Sequence, residues 1–121
     1  MERISEAEQR IMEVLWRDSP LSASGIFGRV GPGQGWSIST VKTMLARLVT
    51  KTAIAHEGDG NRFLYHPLIT REQFLRAESG RLVDRLCEGR AAPLVAQLAE
   101  SGRVSEQDIQ EIEALLKALR A

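Results

Sequence analysis

Apolar positions recur every three or four residues along most of this chain, and the breaks in that rhythm divide it into elements. Ala7, Ile11, Val14 and Leu15 share one side of a first helix that runs to about Arg17. Ser5-Glu6-Ala7-Glu8 opens it as a capping box, a serine hydroxyl for an orphan N–H with a glutamate three residues on. Ser19-Pro20 ends it. Ser22 caps a short second helix with Ile26, Phe27 and Val30 facing inward. Gly31-Pro32-Gly33-Gln34-Gly35 reads as a loop that the helix cannot continue through. A third helix starts at Ser37 or Ser39 and runs to about Lys51, with Val41, Leu45 and Leu48 as its inner stripe, flanked by Met44 and Val49.

The period then shortens. Ala53-Ile54-Ala55-His56 predicts a strand, Gly58-Asp59-Gly60-Asn61 a turn, and Phe63 and Tyr65, alternating with Arg62, Leu64 and His66, a returning strand closed by Pro67. Thr70-Arg71-Glu72-Gln73 is a second capping box. It opens a helix with Phe74, Leu75, Leu82, Val83 and Leu86, running to about Glu88 with Gly89 as its C-terminal cap. Pro93 opens another helix carrying Leu94, Val95 and Leu98, and Gly102 closes it. Ser105 caps a last helix with Ile109, Ile112, Leu115, Leu116 and Leu119. The pattern predicts a mainly α protein: a winged helix-turn-helix of three helices and a two-stranded wing over residues 1–69, then a helical dimerisation region over 70–121.

Net charge is zero, with 16 basic and 16 acidic residues among 121, which argues against a blanket nucleic-acid binder. The distribution changes that picture. Trp36 to Thr52 holds Lys42, Arg47 and Lys51 and no acid, whereas Gln97 to Ala121 holds five acids. The third helix carries Ser39, Lys42, Thr43, Ala46, Arg47 and Thr50 on its outward face. A major groove about 12 Å wide admits one α-helix, and short hydroxyls and cations can read base edges there while carboxylates are repelled by the flanking phosphates. Ser39 and Thr40 are expected at phosphates or water-mediated base contacts. Lys42 and Thr43 are candidates for base edges, Arg47 for a guanine or a phosphate, and Arg62 of the wing for a phosphate or the minor groove. The alternative is a winged-helix protein-interaction module without sequence-specific DNA binding, which steep salt dependence would distinguish.

Several blocks together resemble the BlaI/MecI/CopY family of bacterial transcriptional repressors, the penicillinase repressor family. "ISEAEQRIMEVLW" is similar to its first helix, "WSISTVKTMLARLVTK" to its recognition helix, "NRFLYHPLITREQF" to its wing exit and linker, and "LVAQLAESGRVSEQDIQEIEALLKAL" to its dimerisation region. The resemblance implies a homodimeric repressor on a palindromic double-stranded DNA operator of a β-lactam resistance or stress gene. It also implies relief by a sensor-linked protease that cuts the C-terminal part. Where the family favours Asn-Phe at that cut, this sequence has Gln97-Leu98. The copper-sensing branch uses C-terminal cysteine pairs, and this chain has only Cys87.

Three short amphipathic helices bury little by themselves, which points independently to a dimer formed through Phe74, Leu82, Leu86, Leu94, Leu98, Ile109, Ile112, Leu116 and Leu119; the alternative is that they fold back on the first half as one monomeric core. His56 and His66 are isolated and Cys87 is remote, so no metal, cofactor or catalytic constellation is expected. Cys87 is expected at the dimer interface. Trp16 and Trp36 are expected in the core. The single cysteine, the lack of an apolar leader and the lack of a membrane-length apolar run predict a cytoplasmic protein without membrane insertion, and not an enzyme.

Overall fold

The computed structural model describes residues 1–121, which form two compact units, Met1–Ala77 and Glu78–Ala121. The first opens with α1 (Glu6–Arg17). The Ser5 hydroxyl accepts from the Glu8 N–H at 3.1 Å and the Glu8 carboxylate accepts from the Ser5 N–H at 2.9 Å, so the capping box is reciprocal. Ile11, Met12 and Leu15 on its inner side are fully buried. A two-residue strand, β1 (Leu21–Ser22), leads into α2 (Ala23–Gln34), capped by the Ser22 hydroxyl. Then come α3 (Ile38–Thr50), β2 (Ile54–Asp59), β3 (Arg62–Pro67) and the start of α4 (Arg71–Leu86).

The expected loop at Gly31–Gly35 is instead the last turn of α2. Proline forfeits one helical bond, but here the helix stops two residues later, so little else is lost. Trp36 N–H then bonds the Gly31 carbonyl at 2.9 Å and Gly35 N–H the Pro32 carbonyl at 3.2 Å, with Gly35 at φ 71°. That is a Schellman closure, which needs a residue without a Cβ penalty at the left-handed position. Gly31 is also required by packing, since a Cβ there would lie 2.3 Å from the Phe27 ring.

The wing is longer and its turn tighter than the sequence reading. Gly58 and Asp59 belong to β2, and only Gly60-Asn61 turns, with Gly60 at φ 65°. β2 and β3 are antiparallel from Ile54↔Pro67 to Asp59↔Arg62, and β1 adds a third strand on the other side of β3, pairing Leu21 with Tyr65. Ile4, Ile11, Met12, Leu15, Ile26, Val41, Met44, Leu45, Leu48, Ala53, Ile54 and Phe74 make one core.

Trp16 lies half-buried against that core, its Nε1 donating to the Ile69 carbonyl at 2.8 Å and its ring 5.6 Å from that of Phe74. Arg71 stacks 5.3 Å over Trp16 and pairs with Glu13 at 2.7 Å. The Thr70–Gln73 capping box forms as expected. These contacts bind the first turns of α4 to α1, which is why the compact unit runs past Ile69 to Ala77.

In the second unit α4 stops at Leu86, two residues early, where Glu88 and Gly89 both take positive φ. α5 (Ala91–Glu100) follows, closed by Gly102 at φ 76° with Arg103 N–H on the Leu98 carbonyl. α6 (Glu106–Arg120) begins with a full capping box between Ser105 and Asp108. Those bonds from the Ser105 N–H and hydroxyl hold the Asp108 carboxyl below its ordinary value. No residue of Glu78–Ala121 is buried.

Candidate nucleic-acid interface

α3 separates its faces cleanly. Ser37 caps it, its hydroxyl accepting from the Thr40 N–H at 3.1 Å. Val41, Met44, Leu45 and Leu48 are buried beneath it. Ser39, Thr40, Lys42, Thr43, Ala46, Arg47 and Thr50 are exposed, and neither Lys42 nor Arg47 is ion-paired. The Thr43 hydroxyl donates to the Ser39 carbonyl at 3.0 Å, so toward solvent it offers a methyl group and acceptor lone pairs. Thr50 does the same to Ala46, and Thr40 shares a hydroxyl bond with Ser37. Ser39 keeps its hydroxyl uncommitted, so Ser39, Lys42 and Arg47 each offer this face a free donor.

The wing meets this face. Ser22, Ala23, Ser24, Lys42, Asn61, Arg62, Phe63 and Tyr65 line a depression of about 460 Å³, which brings Lys42 and Arg62 together across α3 and the wing. Arg62 is not free: it grips Asp59 across the turn at 3.1 Å, in an exposed pair. The start of α2 adds the Ser24 hydroxyl and a first turn without acids, whose N–H groups favour an anion. Asn61, Ser24 and the 52% exposed Phe63 were not singled out by the sequence reading. Only the placement of Phe63 on an alternating strand hinted at a role. His56 packs at a tilt against Phe63, with ring centroids 4.4 Å apart, and edge-on against Tyr65 at 5.7 Å, which packs the wing. Burial raises the Tyr65 hydroxyl above its ordinary pKa.

Lys51 corrects the charge reading. Its ammonium turns inward, 2.7 Å from the Arg3 carbonyl and 2.7 Å from the carboxylate of Glu8, whose residue is only 2% exposed. Burial alone pushes the Glu8 carboxyl up, yet bonds from Lys51 and from the backbone and hydroxyl of Ser5 together hold it below its ordinary value. The locally basic segment thus presents two outward cations, not three.

Phe74 is also corrected. At 8% exposure it belongs to the core of the first unit and has no surface for a second chain. The other apolar candidates lie in the second unit. Leu86, Leu98, Ile109, Leu116 and Leu119 are exposed, while Leu82, Leu94, Ile112 and the free Cys87 are half-buried. Gln97 and Leu98 lie on exposed turns of α5. No three metal-ligating side chains converge, and no helix is long and apolar enough to cross a membrane.

Comparisons with known proteins match this arrangement. The penicillinase repressor family profile covers residues 4–118. The penicillinase repressor of Bacillus licheniformis is 29% identical over 115 residues, spanning 95% of this chain and 90% of that protein. The methicillin resistance regulatory protein MecI of Staphylococcus aureus is 26% identical over 113 residues, 93% of this chain and 92% of that one. In solved structures, the Bacillus licheniformis BlaI monomer in complex with the blaP half-operator is 34% identical, with a TM-score of 0.52 over 59% of this chain and 87% of its own. With a mainly helical winged helix in place and a family profile spanning nearly its whole length, the chain belongs to the penicillinase repressor family.

Proposed function

We propose that this DNA-binding repressor works as a homodimer on a palindromic operator. α3 lies in a major groove of each half-site, and the wing and the start of α2 hold the flanking phosphates. The observation that carries the dimer is that Glu78–Ala121 has three amphipathic helices and no buried residue, while exposing Leu86, Val95, Leu98, Ile109, Leu115, Leu116 and Leu119. A second copy supplies the missing cover, each Å² of apolar surface removed from water contributing about 25 cal/mol. Twofold symmetry matches half-sites about one helical turn, or a multiple, apart. The resistance genes named for MecI and the Bacillus repressor suggest a β-lactam resistance or stress gene as target.

A cut at Gln97-Leu98 would relieve repression by removing most of the dimerising surface. Both residues are helical, so a sensor-linked protease would have to act on a locally unwound α5. The test is an anisotropy titration of the full chain against DNA upstream of its own gene and against random duplex, over a range of salt. Equal affinity for both at every salt concentration contradicts the reading.

A further inference from the structure

The reading face of α3 is acid-free only along its own sequence. Glu2, from the segment before α1, lines a depression of about 410 Å³ together with Thr43, Ala46, Arg47, Thr50 and Lys51. This segment is held. Ile4 is buried in the core, the Arg3 carbonyl accepts from the Lys51 ammonium at 2.7 Å, and the Ser5 N–H is bonded to Glu8. Glu2 is thus one residue from a fixed anchor, and Lys51, at the C-terminal end of α3, is that anchor. Glu2 itself makes no ion pair. Alanine at position 46 leaves the floor of the depression open beside it.

A carboxylate at this place has a defined chemistry. Phosphates repel it, which weakens binding to DNA of arbitrary sequence. In the major groove it accepts from amino groups, and its characteristic partner is the N4 amino group of cytosine, because the adenine N6 amino group sits beside the N7 acceptor, which repels a carboxylate. We infer that Glu2 is a specificity-determining residue, which reads a cytosine beneath the C-terminal half of α3, next to the position reached by Arg47, and penalises non-cognate DNA. This rests on the reading of α3 as the groove-reading helix. It gives the helix's C-terminal half a donor-seeking partner that α3 itself lacks.

The experiment selects from a randomised duplex library with the full chain and with Glu2→Ala, Glu2→Gln and Glu6→Ala. Glu6 carries the same charge on the first turn of α1 but does not line the depression. The intact chain is expected to enrich a C·G pair at one position of each half-site. Glu2→Ala loses that preference by about fivefold or more and binds random duplex more tightly; Glu2→Gln shifts it toward adenine, which an amide recognises. Glu6→Ala keeps the parental motif. The inference is overturned if Glu2→Ala selects the same motif with random-duplex affinity within about twofold, which leaves Glu2 no part in binding, or if Glu6→Ala reproduces its effects, which reduces Glu2 to its charge. An intact chain that enriches no motif overturns the sequence-specific reading itself, and this inference with it.

Discussion

Replacing Lys51 by methionine tests the most demanding polar contact in the first unit. Methionine keeps the length and packing of the side chain but strands the Glu8 carboxylate, 3% exposed as a side chain, with its Oε2 already lacking a partner. Breaking a fully buried pair by removing one partner costs about 3–5 kcal/mol. Lys51 keeps 21% of its side-chain exposure, and Glu8 can take up a proton, so we expect about 2–3 kcal/mol here. That is a large part of a total stability of about 5–15 kcal/mol. Glu8→Gln retains an acceptor for the Ser5 N–H and should cost about 1 kcal/mol. The double variant should lose less than the two singles combined, with a coupling of about 1–2 kcal/mol.

Both tryptophans lie in the first unit, so urea unfolding followed by tryptophan fluorescence at fixed protein concentration reads this unit. The pH dependence has a definite sign. The folded carboxyl lies below its unfolded value, so its stabilisation is full above about pH 4.5 and is lost as pH falls through the folded value. The gap between the intact chain and Lys51→Met should therefore narrow in acid. A Lys51→Met chain within about 0.5 kcal/mol of the parent, additive with Glu8→Gln, would refute the reasoning.

Other consequences are equally direct. Lys42→Ala or Thr43→Ala should relax preference at one base pair of each half-site, whereas Arg62→Ala should weaken binding to all sequences alike, as competition titrations would show. Leu116→Glu, on the exposed side of α6, should convert the dimer to monomers in sedimentation and reduce operator affinity by about 10²- to 10⁴-fold; an unchanged mass would contradict the dimer surface. Gly31→Ala should lower the melting temperature by overpacking against Phe27, at a cost of about 1–3 kcal/mol, while Gly33→Ala meets no neighbour within 4 Å and should be neutral or stabilising.

What could be read in the sequence was whatever local chemistry determines. The capping boxes at Ser5 and Thr70 and the cap at Ser37 fix helix starts within a few residues, so α1, α3 and α4 begin where expected. The glycine-rich end of α2 misled because turn chemistry and helix-end chemistry use the same residues; the distinction lies in Phe27 packing over Gly31, a contact within the fold. β1 is too short to show alternation and exists because Leu21 and Ser22 find β3 more than forty residues away in the chain. Phe74 and Lys51 look like a surface apolar residue and a surface cation until Trp16 and Glu8 come to meet them. The exposed face of α3, in contrast, could be read because its exposed and buried positions follow helical geometry alone.

Neutral net charge and DNA binding are compatible because of how the charges are paired. Lys51, Arg71 and Arg29 are held by Glu8, Glu13 and Asp18 on the first unit, while Lys42 and Arg47 on the outward face of α3 have no acid partner. What a polyanion meets is the local field, not the sum. A numerical consequence follows. If Lys42, Arg47 and Arg62 are the only cations neutralising phosphates, a dimer displaces at most about six counterions, and the logarithm of its affinity should fall against the logarithm of salt with a slope no steeper than about −5. The Leu116→Glu monomer should show about half that slope. Base contacts from Lys42 or Arg47 would make both shallower, so the slope also separates reading from holding. A dimer slope well beyond −5 would mean that cations outside α3 and the wing touch the DNA, and that the interface is wider than these elements.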